Sequence, residues 1–240
     1  MKKFLLLLMM PLMLGALAAC SDDSEVIISD SEVNETRTDN SSYTGISSYY
    51  WVSGEKQAIT LTDSKSYILF LSSDQDIVVS KLKEIGVTIT EDEVYKSGIY
   101  EKGMEGTNNQ TKYFEECEWA GVNLTCEQVL KIPEIIYAAP YFLDRNGNAK
   151  FCITSFIYVL TNGEKESVEQ VAKAYDAHYI GYKTGFGDYN VHYIACTKQS
   201  KDNALGIANA LVENHIFAGA EPVIMGPSHG HGFATEGLTH

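Results

Sequence analysis

Apolar residues fall into two successive runs with the same punctuation, and the pattern predicts one order of elements twice. In residues 66–142, Tyr67-Ile68-Leu69-Phe70-Leu71 reads as a buried strand. Asp74 stands where a cap would open a helix, Ile77, Val78, Leu82 and Ile85 recur at helical spacing, and Gly86 ends the run. Val87-Thr88-Ile89 then reads as extended, and Lys112-Tyr113-Phe114-Glu115-Glu116-Cys117 as a strand. Thr125 opens a short helix closed before Pro133, and Ile135-Ile136-Tyr137-Ala138-Ala139-Pro140 is the last strand. Residues 151–225 repeat the order. Phe156-Ile157-Tyr158-Val159-Leu160 is a strand, Val168, Val171, Ala172 and Tyr175 stripe a helix, and strands follow from His178 and from Val191 to Cys196. Leu205, Ala208, Leu211 and Val212 stripe a second helix, and Phe217-Ala218-Gly219-Ala220-Glu221-Pro222 answers Tyr137-Ala138-Ala139-Pro140. Each half reads β-α-β-β-α-β, which predicts an α+β fold of two tandem ferredoxin-like units, 66–150 and 151–227. Ahead of them, Tyr49-Tyr50-Trp51-Val52, the turn Ser53-Gly54-Glu55-Lys56 and Ala58-Ile59-Thr60-Leu61 predict a β-hairpin within 46–65. Its aromatic triplet fits packing against the following body, or a binding surface.

The first residues follow a different logic. Met1-Lys2-Lys3 is a positive start, Phe4 to Leu14 an apolar stretch too short to span a bilayer stably, and Leu17-Ala18-Ala19-Cys20 a lipobox. Residues 1–19 are therefore expected to be a lipoprotein signal peptide, with Cys20 acylated and the protein anchored through it to the outer membrane, facing outward. Residues 20–45 are acidic and poor in apolar periodicity, as a flexible tether would be, and 228–240 read as a flexible tail. Ser21-Asp22-Asp23 resembles the acidic export signal of Bacteroidetes surface lipoproteins and also fits the start of a solvated linker.

Charge narrows the partners. With 18 basic residues against 32 acidic ones the chain carries −14, and loss of Lys2 and Lys3 would bring it to −16. No Lys/Arg cluster follows Lys3, so nucleic acid is not an expected partner, and the bilayer is reached through the acyl chain at Cys20. Four further cysteines, Cys117, Cys126, Cys152 and Cys196, read either as buried thiols or as disulfide partners. The expected antiparallel neighbourhood of the first and third strands of the second half makes Cys152 and Cys196 a candidate pair.

Candidate chemistry is sparse. Gly226-Pro227-Ser228-His229-Gly230 matches the Gly-x-Ser-x-Gly pattern but lacks the strand and helix that hold a nucleophile elbow. His229, His231, His240 and Glu236 lie in a glycine-bearing tail that would hold a metal poorly. Glu115-Glu116 and Glu91-Asp92-Glu93 read as solvated acid, and Thr184-Gly185-Phe186-Gly187-Asp188 as a hairpin loop without a helix N-terminus for phosphate. The expectation is a non-catalytic protein without metal or cofactor.

Tyr49-Tyr50-Trp51, Gly54-Glu55-Lys56, Ala195-Cys196-Thr197-Lys198, Asn203-Ala204-Leu205 and Ile216-Phe217-Ala218-Gly219-Ala220-Glu221-Pro222, in that order, resemble the N-terminal prodomain region of Bacteroidetes subtilisin-like serine proteases. The resemblance spans residues 49–225. It implies a β-α-β-β-α-β unit that packs a sheet face on a protease and threads its tail, here Val223-Ile224-Met225 and on to Pro227, through the substrate cleft. The Asp-Thr-Gly, His-Gly-Thr and Gly-Thr-Ser motifs of the protease itself do not occur. The implied function is a stand-alone protease inhibitor, chaperone or docking module whose partner is a secreted or surface protein such as a subtilisin-like protease. A surface interaction or structural lipoprotein with an unrelated ligand is the alternative.

Overall fold

The N-terminal hairpin forms where the aromatic alternation places it, as β1 (Tyr49–Val52) and β2 (Glu55–Ala58). Ser53 and Gly54 both have positive φ, 49° and 80°, the two-residue turn whose twist matches that of the flanking strands. The computed structural model describes residues 47–97, 104–144, 146–163, 165–185 and 189–226. The signal-peptide reading, Cys20, the tether, His229, His231, Glu236, His240 and most of the Gly-x-Ser-x-Gly match lie outside the described residues.

The first half consists of β3 (Leu61–Leu71), α1 (Gln75–Glu84), β4 (Val94–Lys96), α2 (Asn109–Glu115), β5 (Cys117–Val122), α3 (Cys126–Val129) and β6 (Tyr137–Leu143). The second consists of β7 (Ala149–Thr161), α4 (Lys165–Ala174), β8 (His178–Thr184), β9 (Asn190–Ala195), α5 (Ala204–Glu213) and β10 (Gly219–Met225). Pairing runs β4-β5-β3-β6 in one and β8-β9-β7-β10 in the other, antiparallel throughout. The halves meet in a hairpin in which Tyr141, Phe142 and Leu143 of β6 face Cys152, Phe151 and Ala149 of β7, so all eight strands belong to one sheet. Asp144 makes that turn: its carboxylate accepts from the Asn146 and Asn148 amides at 2.9 and 2.8 Å and pairs with Lys150 at 3.2 Å.

Both closing strands carry a proline, and both lose register just after it. Pro140 pairs with Ser66 before a shift to Phe142 opposite Leu61, and Pro222 pairs with Ile157 before a shift to Ile224 opposite Ile153. Proline has no N–H for the ladder, which makes its neighbourhood a natural place for a bulge. At the second break the Thr154 hydroxyl donates to the Val223 carbonyl at 3.0 Å and accepts from the Phe156 amide at 3.2 Å, replacing ladder bonds.

Three helices end in one geometry for which only the first has a glycine. The Val87 amide reaches Leu82, Ala177 reaches Ala172 and Ile216 reaches Leu211, with the intervening left-handed residue being Gly86, Asp176 or His215.

Three expectations need correction. Residues 87–89 are outside the sheet, and the short strand comes later as β4. The aromatic pair Tyr113-Phe114 belongs to α2, not to a strand, and the strand begins at Cys117. Asn108 explains the difference: its side chain accepts from the Gln110 and Thr111 amides while Thr111 answers to the Asn108 amide, a reciprocal cap that outweighs aromatic strand preference. In α1 only Val78 and Leu82 are buried, whereas Ile77 and Ile85 are 45% and 50% exposed.

Candidate interaction surface

Strand alternation divides each half into a face under its helices and a face away from them. In the first half, Ile68, Phe70, Ala120, Val122 and Ala138 share a core with Val78, Leu82, Cys126 and Val129 of α1 and α3. The opposite face carries Tyr67, Leu69, Trp119, Tyr137 and Ala139, and it is buried in a larger core that includes the second half. Tyr95, Trp119 and Tyr67 stack there at 4.7 and 5.5 Å between centroids, and the Ala204 amide at the start of α5 donates to the Tyr137 hydroxyl at 3.1 Å. Tyr141 lies so close over Gly121 that a Cβ on that residue would collide with its hydroxyl.

The second half buries Ile157, Val159, Ile194 and Ala220 with Val168, Val171, Leu205 and Leu211 of α4 and α5. By register, its other face carries Phe156, Tyr158 and Leu160 of β7 with Val191 and Tyr193 of β9. Phe156 is covered by Phe114 of α2, at 5.7 Å between centroids. Further along, Tyr158 and Val191 are half-buried and Leu160 is 37% exposed, with Tyr189 exposed beside them.

The second half's two sheet edges are treated differently. On β8 a register break between Tyr179 and Gly181 loosens the ladder, and α2 takes up the carbonyls: Asn108 donates to Tyr179 at 3.1 Å and the Thr111 hydroxyl to Ile180. Glu105 closes the same edge through two backbone bonds with Tyr182, at 2.8 and 2.9 Å. β10 pairs with β7 alone among the described residues.

Beside β10 and α5 lies the β1–β2 hairpin, fastened through Glu213. One oxygen of that carboxylate accepts from Tyr49 at 2.6 Å and Trp51 at 3.4 Å and pairs with Lys56 at 3.0 Å, whose ammonium lies over both rings at 4.2 and 5.0 Å. The Tyr49 hydrogen bond, with Lys56 behind it, holds the Glu213 carboxyl below its ordinary range, and the same hydrogen bond raises the Tyr49 phenol against the opposing pull of Lys56. Asn209 donates to the Tyr49 carbonyl at 3.0 Å, the Ser53 amide to Glu221 at 3.1 Å, and Tyr50 stacks on Phe142. The aromatic triplet is thus a fastening, and nothing in the linear sequence pointed to Glu213 as its anchor.

Val223, Ile224 and Met225 are extended, as the resemblance implied, but they are built into β10 opposite β7, with Val223 and Met225 buried. Cys152 and Cys196 do not form the expected bond: all four described cysteines are free and buried. The Cys196 amide bonds to the Ser155 carbonyl, so Cys196 lies opposite Ser155, three residues from Cys152. At strand rise that offset is about 10 Å, beyond the roughly 7 Å a disulfide spans, and an odd offset also reverses the face. β7 starts earlier than the repeat suggested because its first residues pair with β6. Burial pushes the Cys117 and Cys152 thiols up to about 12 and Cys126 to about 11, and raises Cys196 as well, which leaves them protonated and poorly nucleophilic at neutral pH. Among the described residues no group of three or more His, Cys, Asp or Glu could hold a metal. No helix there is long and apolar enough to cross a membrane.

Compared with protein-family models and with curated proteins, the chain matches none.

Proposed function

We propose that this chain is an exported, Cys20-anchored lipoprotein that works without catalysis, as a protein-binding module docking a secreted or surface protein on the second half's exposed sheet face. The observation that carries the reading is a difference in burial: on the sheet face turned from the helices the first half buries Tyr67, Leu69 and Trp119 and leaves Leu71 part-exposed at the strand end, whereas the second buries Phe156 and Tyr193 but leaves apolar surface open at Tyr158, Leu160 and Val191. Apolar positions on a rigid sheet are cheap to desolvate and keep their geometry on binding. We read each half as a ferredoxin-like unit, supported by the 2-3-1-4 order of strands in both, and the prodomain resemblance supplies a subtilisin-like protease as the partner to test first.

The packing of Val223 and Met225 in β10 favours face docking over threading of that segment through a cleft, because threading would strip β10 from β7. The same packing favours the broader reading, an interaction lipoprotein with an unrelated ligand, over a cleft inhibitor. Titration of the protein against a panel of secreted subtilisin-like proteases is the test. Binding by at least one member that falls tenfold or more in Leu160→Asp, with an unchanged melting transition, is the expected result. Full binding by Leu160→Asp would remove the face from the reading, and absence of binding by every protease would remove the protease partner.

A further inference from the structure

The internal repeat shows what a closing strand does with its outer edge. In the first half, the three residues after Pro140, namely Tyr141, Phe142 and Leu143, pair with β3 on one side through Leu61 opposite Phe142. On the other side they take an antiparallel strand, Ala149–Cys152. In the second half, the three residues after Pro222 are Val223, Ile224 and Met225, with Ile224 opposite Ile153 and Met225 opposite Cys152 on the inner side. No described strand pairs on the outer side. The hairpin does not fill the place: β1 and β2 form their own ladder, and the bond from Ser53 reaches Glu221, on the other side of Pro222.

Edge strands are commonly blunted by shortness, by covering segments or by bulges, and the other edges here follow that rule. β4 has three residues, and β8 is closed by Glu105, Asn108 and Thr111. β10 has seven residues. In an antiparallel ladder successive residues direct their N–H and C=O groups alternately to the two edges, so part of its main chain faces outward, unclaimed by a described strand.

We propose that the outer edge of β10 at Val223, Ile224 and Met225 accepts an antiparallel extended segment of a partner protein, as Tyr141–Leu143 accepts Ala149–Cys152. The inference rests on the protein-binding reading and specifies a second contact for it. Main-chain bonds supply affinity, and alternate side chains of the incoming segment supply selectivity. A second copy of this chain is disfavoured as the occupant, because the net charge of −14 opposes self-association. An apolar segment with basic flanks is the matching chemistry.

The test uses the full chain in detergent micelles, panned against a phage-displayed library of random decapeptides, with selected peptides then synthesised. The expected peptides alternate apolar residues, carry Lys or Arg at their ends and slow exchange of the outward-facing amide within Val223–Met225. Ile224→Lys should weaken them at least tenfold while Leu160→Asp leaves them unchanged. Should Ile224→Lys lose its cooperative melt, the exchange map of the unaltered protein decides alone. Absence of any selected peptide, protection confined to other residues, or full binding by a folded Ile224→Lys overturns the proposal. Binding lost in Leu160→Asp but kept in Ile224→Lys overturns it while sparing the sheet-face reading. Self-association in sedimentation that Ile224→Lys abolishes would assign the edge to a second copy and likewise overturn it.

Discussion

Leu69 and Tyr158 occupy corresponding places, each in the first strand of its half and each on the face turned from the helices, yet Leu69 is fully buried and Tyr158 is not. The residues opposite them, Trp119 and Tyr193, are both buried, and the contrast returns at the strand end, where Leu160 lies at the surface. One strand order therefore gives two outcomes. The difference comes from the later elements of the chain: β7 and α5 close the face of the first half, whereas the second has Phe114 over Phe156 but keeps Tyr158, Leu160 and Val191 open further along. Duplication with lopsided covering leaves the outer face of one half largely inside the core and part of the other's in contact with water among the described residues.

Substitution on the two faces should break the symmetry most strongly. Trp119→Ala is expected to cost about 3–5 kcal/mol in urea unfolding, as emptying a packed aromatic site does. Leu160→Ala, half a molecule away on the corresponding face, should cost less than about 1 kcal/mol because much of that side chain already meets water. Equal costs would mean that the two faces are equally closed.

Acid should act next, and through the second half. Burial lowers the pKa of His178 and His192 from 6.5, so the folded state disfavours their protonation relative to the unfolded chain. Their stabilisation is complete above pH 6.5 and declines as the pH falls through that value, while the depressed carboxyls of Glu134 and Glu213 add their own loss only below 4.5. Thermal midpoints taken between pH 7.5 and 5 should fall with acid, and His192→Phe should flatten part of the slope. A slope unchanged in that variant would exonerate His192.

Smaller is the effect expected at the helix ends. His215 has a φ of 54°, a left-handed conformation that costs a side-chain-bearing residue energy and glycine almost none. His215→Gly should raise stability by about 0.5–1 kcal/mol, whereas Gly86→Ala at the matching position of α1, where φ is 87°, should lower it by about 1 kcal/mol or more; chemical denaturation of both variants makes the check.

The least change in global stability belongs to the hairpin. Glu213→Gln removes the charge that gathers Tyr49, Trp51 and Lys56, all at least partly exposed. Its signature is faster amide exchange confined to Tyr49–Ala58, with the global unfolding midpoint nearly unmoved.

The strands at Tyr67, Phe156, His178 and Val191, the helix stripes at Val168 and Leu205 and the aromatic hairpin were legible because each rests on local alternation, helical spacing or turn residues. α2 was not, since Tyr113 and Phe114 argue for a strand while the decisive cap at Asn108 is completed by β8 carbonyls about seventy residues away. The helix ends at Asp176 and His215 carried no glycine to announce them. Of the candidate site, the extended character of Val223–Met225 was readable, and its burial against β7 was not. The proposed disulfide failed for a related reason, because β7 lengthens to pair with β6 and carries Cys152 past the point opposite Cys196.

Sequence by itself determined the hairpin, most of the strands and helix stripes, the repeat and the acidic charge, all properties of near neighbours or of composition. Tertiary structure alone decided that the halves share one sheet, that Glu213 fastens the hairpin, and which face and edge the described residues leave uncovered. Those depend on which distant segments arrive to cover a strand, and a strand's own residues, apolar on both faces in each half, do not encode which of its faces another element will reach.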